Sequence, residues 1–126
     1  MEERGNDLQK KYRIQTSLDN ASAASHADVV VLSVKPQRLS EVMKAIKGIR
    51  PDALVLSIIA GANIKKISTG LKHKAVVRSM PNTPGQIGAG ITAWCARDPL
   101  ASGDRTKVKM LLDALGVSLE VPEDDL

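Results

Sequence analysis

Asp28-Val29-Val30-Val31-Leu32-Ser33-Val34-Lys35-Pro36 carries the strongest strand signal in the chain. Apolar residues follow one another from Val29 to Leu32 with no polar alternation. That pattern predicts a strand buried on both faces, as in a parallel sheet. Pro36 fixes its own φ and pushes Lys35 toward extended geometry, so the strand ends in a stiff turn. Outward from it, residues 53–59 repeat the signature and stop at Gly61, and residues 75–78 form a shorter third run. Residues 90–95 and 117–121 read as two further strands.

Helical spacing lies between these runs. Leu39, Val42, Met43 and Ile46 fall on one helix face, with Gly48 placed to end it. Ile64, Ile67 and Leu71 repeat part of the pattern after Asn63, an N-cap residue type. Val108, Leu111, Leu112 and Leu115 repeat it again before Gly116. Upstream, residues 2–12 are helix-like, residues 13–16 read as a short strand, and Asn20 reads as the cap of a helix over residues 21–26. The predicted order is α-β-α-β-α-β-α-β-β-α-β. Alternation of this kind predicts one α/β layered domain with right-handed crossovers. Ligands of such sheets sit beyond the carboxyl ends of the strands, here residues 33–36, 58–61 and 80–84.

Composition narrows the function classes. The chain has 126 residues, 43% hydrophobic and 25% charged, which is globular and not disordered. No apolar run approaches the roughly 18 residues of a membrane span. The start, Met1-Glu2-Glu3-Arg4, is unlike a secretory signal. Cys95 stands alone, so no intramolecular disulfide or cysteine-rich metal site is available. Together these features predict a cytoplasmic protein. The net charge is +4, but aromatic residues are only 2%, and single-strand readers stack bases on aromatic rings. A nucleic-acid partner is therefore not expected. Charge is uneven: residues 35–78 hold ten Lys or Arg against Glu41 and Asp52, while the last seven residues hold four acids. Solvated helix faces explain this pattern, and so does a field that attracts an anion.

At the predicted strand ends, Lys35 before Pro36 can meet a dinucleotide, or can be a solvated lysine at a strand stop. The small residues Ala60, Gly61 and Ala62 allow close approach of a ring, or make a tight turn. Met80-Pro81-Asn82-Thr83-Pro84 holds a carboxamide and a hydroxyl between prolines, suited to hydrogen bonding or to a plain turn. Gly85, Gly88 and Gly90 precede a strand instead of opening a helix, so they read as a loop and not as a phosphate cradle. His26 and His73 read as surface residues, Cys95 and Trp94 as packing residues, and no metal-ligand spacing is present.

Taken in order, the segments Asn20, residues 27–37, 57–61, 77–84, 88–93 and 115–126 resemble pyrroline-5-carboxylate reductase. The resemblance covers roughly residues 2–126. It implies a Rossmann-like NAD(P)-binding domain, α/β with a mostly parallel sheet and flanking helices. It implies NADP(H) or NAD(H) as cofactor, 1-pyrroline-5-carboxylate as substrate, and L-proline as product. Asn20 would contact the adenosine side. Ser33, Val34, Lys35 and Pro36 would line the dinucleotide, with Ile58, Ile59 and Ala60 nearer the nicotinamide and Asn82 facing the same pocket. The family commonly has alanine where this chain has Ile59, which would crowd a close approach.

Against the family pattern, the chain lacks the first β-α-β unit with its glycine-rich loop, and it stops where the helical dimerisation domain would begin. The expectation is a single partial domain over residues 1–126, inactive alone, with strand edges left unpaired. No residue is assigned a catalytic role, no membrane contact is expected, and self-association through the open edges is. The competing expectations are a fragment of another β-hydroxyacid-dehydrogenase-like reductase, and a non-catalytic interaction module that pairs through a sheet edge.

Overall fold

The computed structural model describes residues 2–82, 87–96 and 100–126. Strands β1 (Val29–Leu32), β2 (Leu54–Ser57), β3 (Val76–Met80), β4 (Gly90–Ala96) and β5 (Gly116–Glu120) form one five-stranded sheet in chain order. The β1/β2, β2/β3 and β4/β5 pairs are parallel, and β3/β4 is antiparallel. Each parallel pair is bridged by a helix, as parallel pairing requires. These are α3 (Leu39–Ala45), α4 (Ile64–Leu71) and α5 (Ser102–Asp113). Before them come α1 (Glu2–Tyr12) and the short α2 (Asn20–Ser25). The architecture is the expected one: α/β, mostly parallel, with flanking helices.

Two cores sit on opposite faces of the sheet. Val30, Leu32, Val55, Ile59 and Val76 pack against α3 and α4 through Leu39, Val42, Met43, Ile64 and Ile67. Leu54, Leu56, Val77 and Trp94 pack against Val108 and Leu112 of α5. Every residue of β2 is therefore buried. Coverage fails at both ends of the sheet. Val31 of β1 is 51% exposed, so this strand is buried on one face and not, as expected, on both. On the α3/α4 side, Ile91 of β4 and Val117 and Leu119 of β5 are also exposed. The register places Ile91 beside Val117 and Ala93 beside Leu119, so these residues share one face.

Local chemistry explains most boundaries. Asn63 caps α4 by accepting from the Lys66 backbone N–H at 2.8 Å. Pro36 opens a 3-10 turn, Pro36–Arg38, closed by the Arg38 N–H donating to the Lys35 carbonyl at 2.8 Å. Gly116 has φ +129, and a Cβ there would lie 2.1 Å from the Gly90 carbonyl oxygen. Only glycine allows β4 and β5 to begin side by side at that point.

Several expectations are corrected. Residues 13–16 form no strand: they are exposed and unpaired, and Arg13 takes φ 55. Strand propensity without a ladder partner does not make a strand. Asn20 is not a cap but the first residue of α2. The cap is Asp19, whose side chain accepts from the Ser22 N–H at 3.1 Å. His73 is buried, with Nε2 2.6 Å from the Ala53 carbonyl oxygen, whereas His26 is at the surface as expected. Cys95 and Trp94 are buried, as read from the sequence. Thr83, Pro84 and Gly85 lie outside the described residues.

Candidate functional site

The carboxyl ends of β1, β2 and β3 lie side by side, because the three strands are parallel neighbours. At the end of β1, Ser33 and Lys35 are exposed and Val34 is half-buried against the α3/α4 core. Lys35 has the extended backbone that its following proline dictates, φ −62 and ψ 143. Asn20, on the first turn of α2, lines a cavity of about 320 Å³ together with Ser33, Val34 and the whole of β1. Four successive segments, α2, β1, the following turn and α3, thus line one cavity.

The end of β2 lies next to it. The Ile58 N–H donates to the Leu32 carbonyl at 3.1 Å, which continues the ladder one residue past β2. The Ile59 N–H donates to the Ser57 Oγ at 3.1 Å, and the Ser79 hydroxyl of β3 donates to the Ser57 carbonyl at 3.0 Å. These bonds fix the turn that follows β2. Ile58 and Ala60 face outward, but Ile59 is 2% exposed and its side chain belongs to the α3/α4 core. Its bulk therefore points away from the edge, and the crowding expected from the sequence does not arise. At Ile59 only backbone is left to meet a ligand.

Asn82 is placed past the end of β3. Its Oδ1 accepts from the Ile91 N–H at 2.9 Å, so the carboxamide oxygen holds the start of β4. The sequence reading missed this structural use. It also missed Arg78, which is buried in β3 with its guanidinium 3.7 Å from the Glu123 carboxylate. The signal was present: a charge in a strand buried on both faces demands a counter-charge, and the acidic tail supplies one.

Part of the basic stretch is neutralised locally. Arg38 pairs with Glu41 at 2.8 Å, and Arg50 with Asp28 and Asp52. Donation to the Asp28 carboxylate is the largest cause of a raised Arg50 pKa. Burial pushes the Cys95 thiol up to about 11, with Glu123 adding to the shift. Cys95 is thus a protonated packing residue, not a nucleophile. Among the described residues no group of three His, Cys, Asp or Glu could hold a metal ion. No described helix is long and apolar enough to cross a membrane. A larger cavity, about 830 Å³, lies between α4 and the β4/β5 side. It contains none of the strand-end residues, and a groove across an uncovered sheet face needs no ligand to explain it. The strand-end edge is the stronger candidate, because three parallel strands converge on it.

The edge can be tested for fit to a dinucleotide. Small residues, a proline-fixed turn and a cavity beside β1 suit a flat ring and its ribose. A pyrophosphate needs a helix N-terminus with unmet N–H groups. Of the helix N-termini at this edge, α2 is capped by Asp19 and α4 by Asn63, while α3 has no side-chain cap and is entered through the Pro36–Arg38 turn, the Leu39 N–H donating to the Pro36 carbonyl. The described residues therefore fit the outer parts of a dinucleotide, and the two capped termini offer its phosphates nothing.

The family model for NADP oxidoreductase, coenzyme F420-dependent, matches residues 1–61. The chain is 40% identical over 117 residues to the pyrroline-5-carboxylate reductase of Synechocystis sp., covering 93% of this chain and 44% of that protein. Among solved structures it is similar to a pyrroline-5-carboxylate reductase from Coxiella burnetii. The TM-score is 0.86 at 31% identity, over 95% of this chain and 46% of that one. It is also similar to the Plasmodium falciparum pyrroline carboxylate reductase with NADP bound. There the TM-score is 0.83 at 29% identity, over 91% of this chain and 44% of that one. The chain thus spans a little under half the length of these relatives.

Proposed function

We propose that this chain, homologous to pyrroline-5-carboxylate reductases over nearly its whole length, is the dinucleotide-binding portion of such an enzyme. The activity of the whole enzyme would be NAD(P)H-dependent reduction of 1-pyrroline-5-carboxylate to L-proline, a step of proline biosynthesis in the cytoplasm. The observation that carries this reading is that Asn20 lines one cavity with Ser33 and Val34, while the Ile58 N–H beside it donates to the Leu32 carbonyl at the carboxyl end of β1. In this reading Asn20 holds the adenosine side. Ser33, Val34, Lys35 and Pro36 run along the dinucleotide. Ile58, the Ile59 backbone and Ala60 flank the nicotinamide, with Asn82 at the far end. When bound, the cofactor would supply a hydride for the imine carbon, with a proton taken up from solvent at the nitrogen. The chain's own contribution is to hold one ring face and exclude water from it.

Residues 1–126 are one partial domain in this reading, and the chain alone is inactive. Hydride transfer needs the imine held close to the nicotinamide, and loss of such positioning removes many orders of magnitude. The test is an NMR titration of the chain with NADPH and then NADH. Amide shifts confined to residues 33–35 and 58–60 are expected. Shifts confined to the groove between α4 and β5, or none in a folded sample, would overturn the assignment. Proline formation by the chain alone would overturn its inactivity.

The free edge of β1 favours a second reading, self-association through that strand. Its N–H and C=O groups on the side away from β2 have no ladder partner among the described residues. Sedimentation decides it: a monomer at tens of micromolar removes the reading, and a dimer abolished by proline at position 31 supports it.

A further inference from the structure

Glu123 serves two segments of the chain at once. Its carboxylate lies 3.7 Å from the buried Arg78 guanidinium, and its Oε1 accepts from the Ile64 N–H at 2.6 Å. A buried cation needs a counter-charge, so Arg78 explains why the tail returns to the sheet. Arg78 also lies within 3.5 Å of the Leu126 carbonyl oxygen, which fixes the tail at a second point. Arg78 does not explain the bond to Ile64. Ile64 is the first residue of α4, and its N–H is one of the four at that terminus with no partner inside the helix. Asn63 takes the Lys66 N–H, and Glu123 takes this one. A residue beyond β5 thus completes the cap of a helix whose start ends the turn after β2.

That turn, residues 58–63, is the proposed nicotinamide side. It is tied at one end by Ser57 and Ser79. At the other it is tied by the cap of α4, and between them Ile59 and Ala62 are buried in the α3/α4 core while Gly61 takes φ +75, which glycine adopts without strain. We infer that Glu123 is a positioning residue for this turn, acting through the Ile64 N–H and independently of its pairing with Arg78. The inference rests on the proposed cofactor side only for its functional meaning. The coupling itself is a property of the fold.

Removing Glu123 alone would strand a buried charge, so the test uses double variants that remove both charges. In Arg78→Met/Glu123→Gln the carboxamide oxygen can still accept from Ile64. In Arg78→Met/Glu123→Ala nothing can. Hydrogen exchange at the Ile64 amide should match the parent in the first. It should quicken roughly five- to tenfold in the second, the loss of one cap hydrogen bond. The amide resonances of Ile58, Ala60 and Gly61 should stay in place in the first and move in the second. Equal exchange and equal resonances in the two variants would overturn the inference and leave Glu123 as the counter-ion of Arg78 only. NADPH titration of the same samples separates the two claims. A parent that does not bind refutes the cofactor reading while the amide comparison still decides the coupling. A parent that binds, with both variants binding equally well, overturns the positioning role at the site.

Discussion

β1 and β2 read alike in sequence and differ in the fold. Both are short apolar runs beginning near an Asp or Ala and ending at a serine. β2 is buried at every residue, with α3 and α4 on one side and α5 on the other. β1 has the same α3/α4 cover, but its other face carries an exposed Val31. The difference is positional. An inner strand inherits cover from the elements that flank its neighbours, whereas an edge strand has cover only where something happens to reach it. Apolar composition states what a strand can tolerate, not what it receives.

The contrast is sharpest in core truncation. Leu54→Ala in β2 removes a side chain with 0% exposure and should cost about 2–5 kcal/mol. Urea unfolding followed by Trp94 fluorescence checks this, because Trp94 is buried in the same cluster. A loss below about 1 kcal/mol would mean that the α5 layer is loosely packed.

Cys95 sits where cover begins to fail, one position from Trp94 on the opposite face, and its pKa near 11 reports that it is still sheltered. Its folded pKa is raised, so its contribution to stability is fully present below the unfolded value. That contribution should fall as pH rises from about 9 toward 11. Native labelling by a disulfide reagent at pH 8 should be roughly a hundredfold slower than for an unperturbed thiol. Fast labelling in folded protein would extend the uncovered region along β4 from Ile91 to Cys95.

Asn63→Ala should cost about 1 kcal/mol, the usual loss of an N-cap. Asp19→Ala, on a helix of one and a half turns at the surface, should cost less. Circular dichroism melts of the pair compare a cap inside the covered region with one outside it. Val31→Thr tests the bare face itself and should change stability by no more than about 0.5 kcal/mol. A loss several times larger would mean that in solution this face is covered by something, and sedimentation would then show by how much mass.

The strands and the α3 and α4 helices were legible because each is specified locally. Runs of β-branched residues, Pro36, the 3.6-residue spacing of Leu39 to Ile46 and the Asn63 cap all act within a few positions. The failures share a different cause. Residues 13–16 have strand-like chemistry and no partner in space. His73 is buried because Ala53, just before β2, offers a carbonyl, and Asn82 spends its oxygen on Ile91. Arg78 and Glu123 meet across the sheet. Each depends on a contact that no window of sequence contains. At the candidate site the positions of Ser33, Lys35, Ile58 and Ala60 were legible as lying past strand ends, and that of Asn20 as the start of a helix. The inward turn of Ile59 was not, since alternation past the end of a strand depends on the turn that follows.

The Gly90–Gly116 contact has a consequence for how the sheet tolerates change in length. It works as a zero mark on a ruler. β4 and β5 are aligned at the one place where neither bears a side chain, and the approach of 2.1 Å to a notional Cβ leaves no room for any other residue there. A residue inserted between Ala96 and Ser102, or deleted from that connection, cannot be absorbed by sliding β5 along β4. The length change must be taken up in the link or in α5, and the indexing of the two strands survives it.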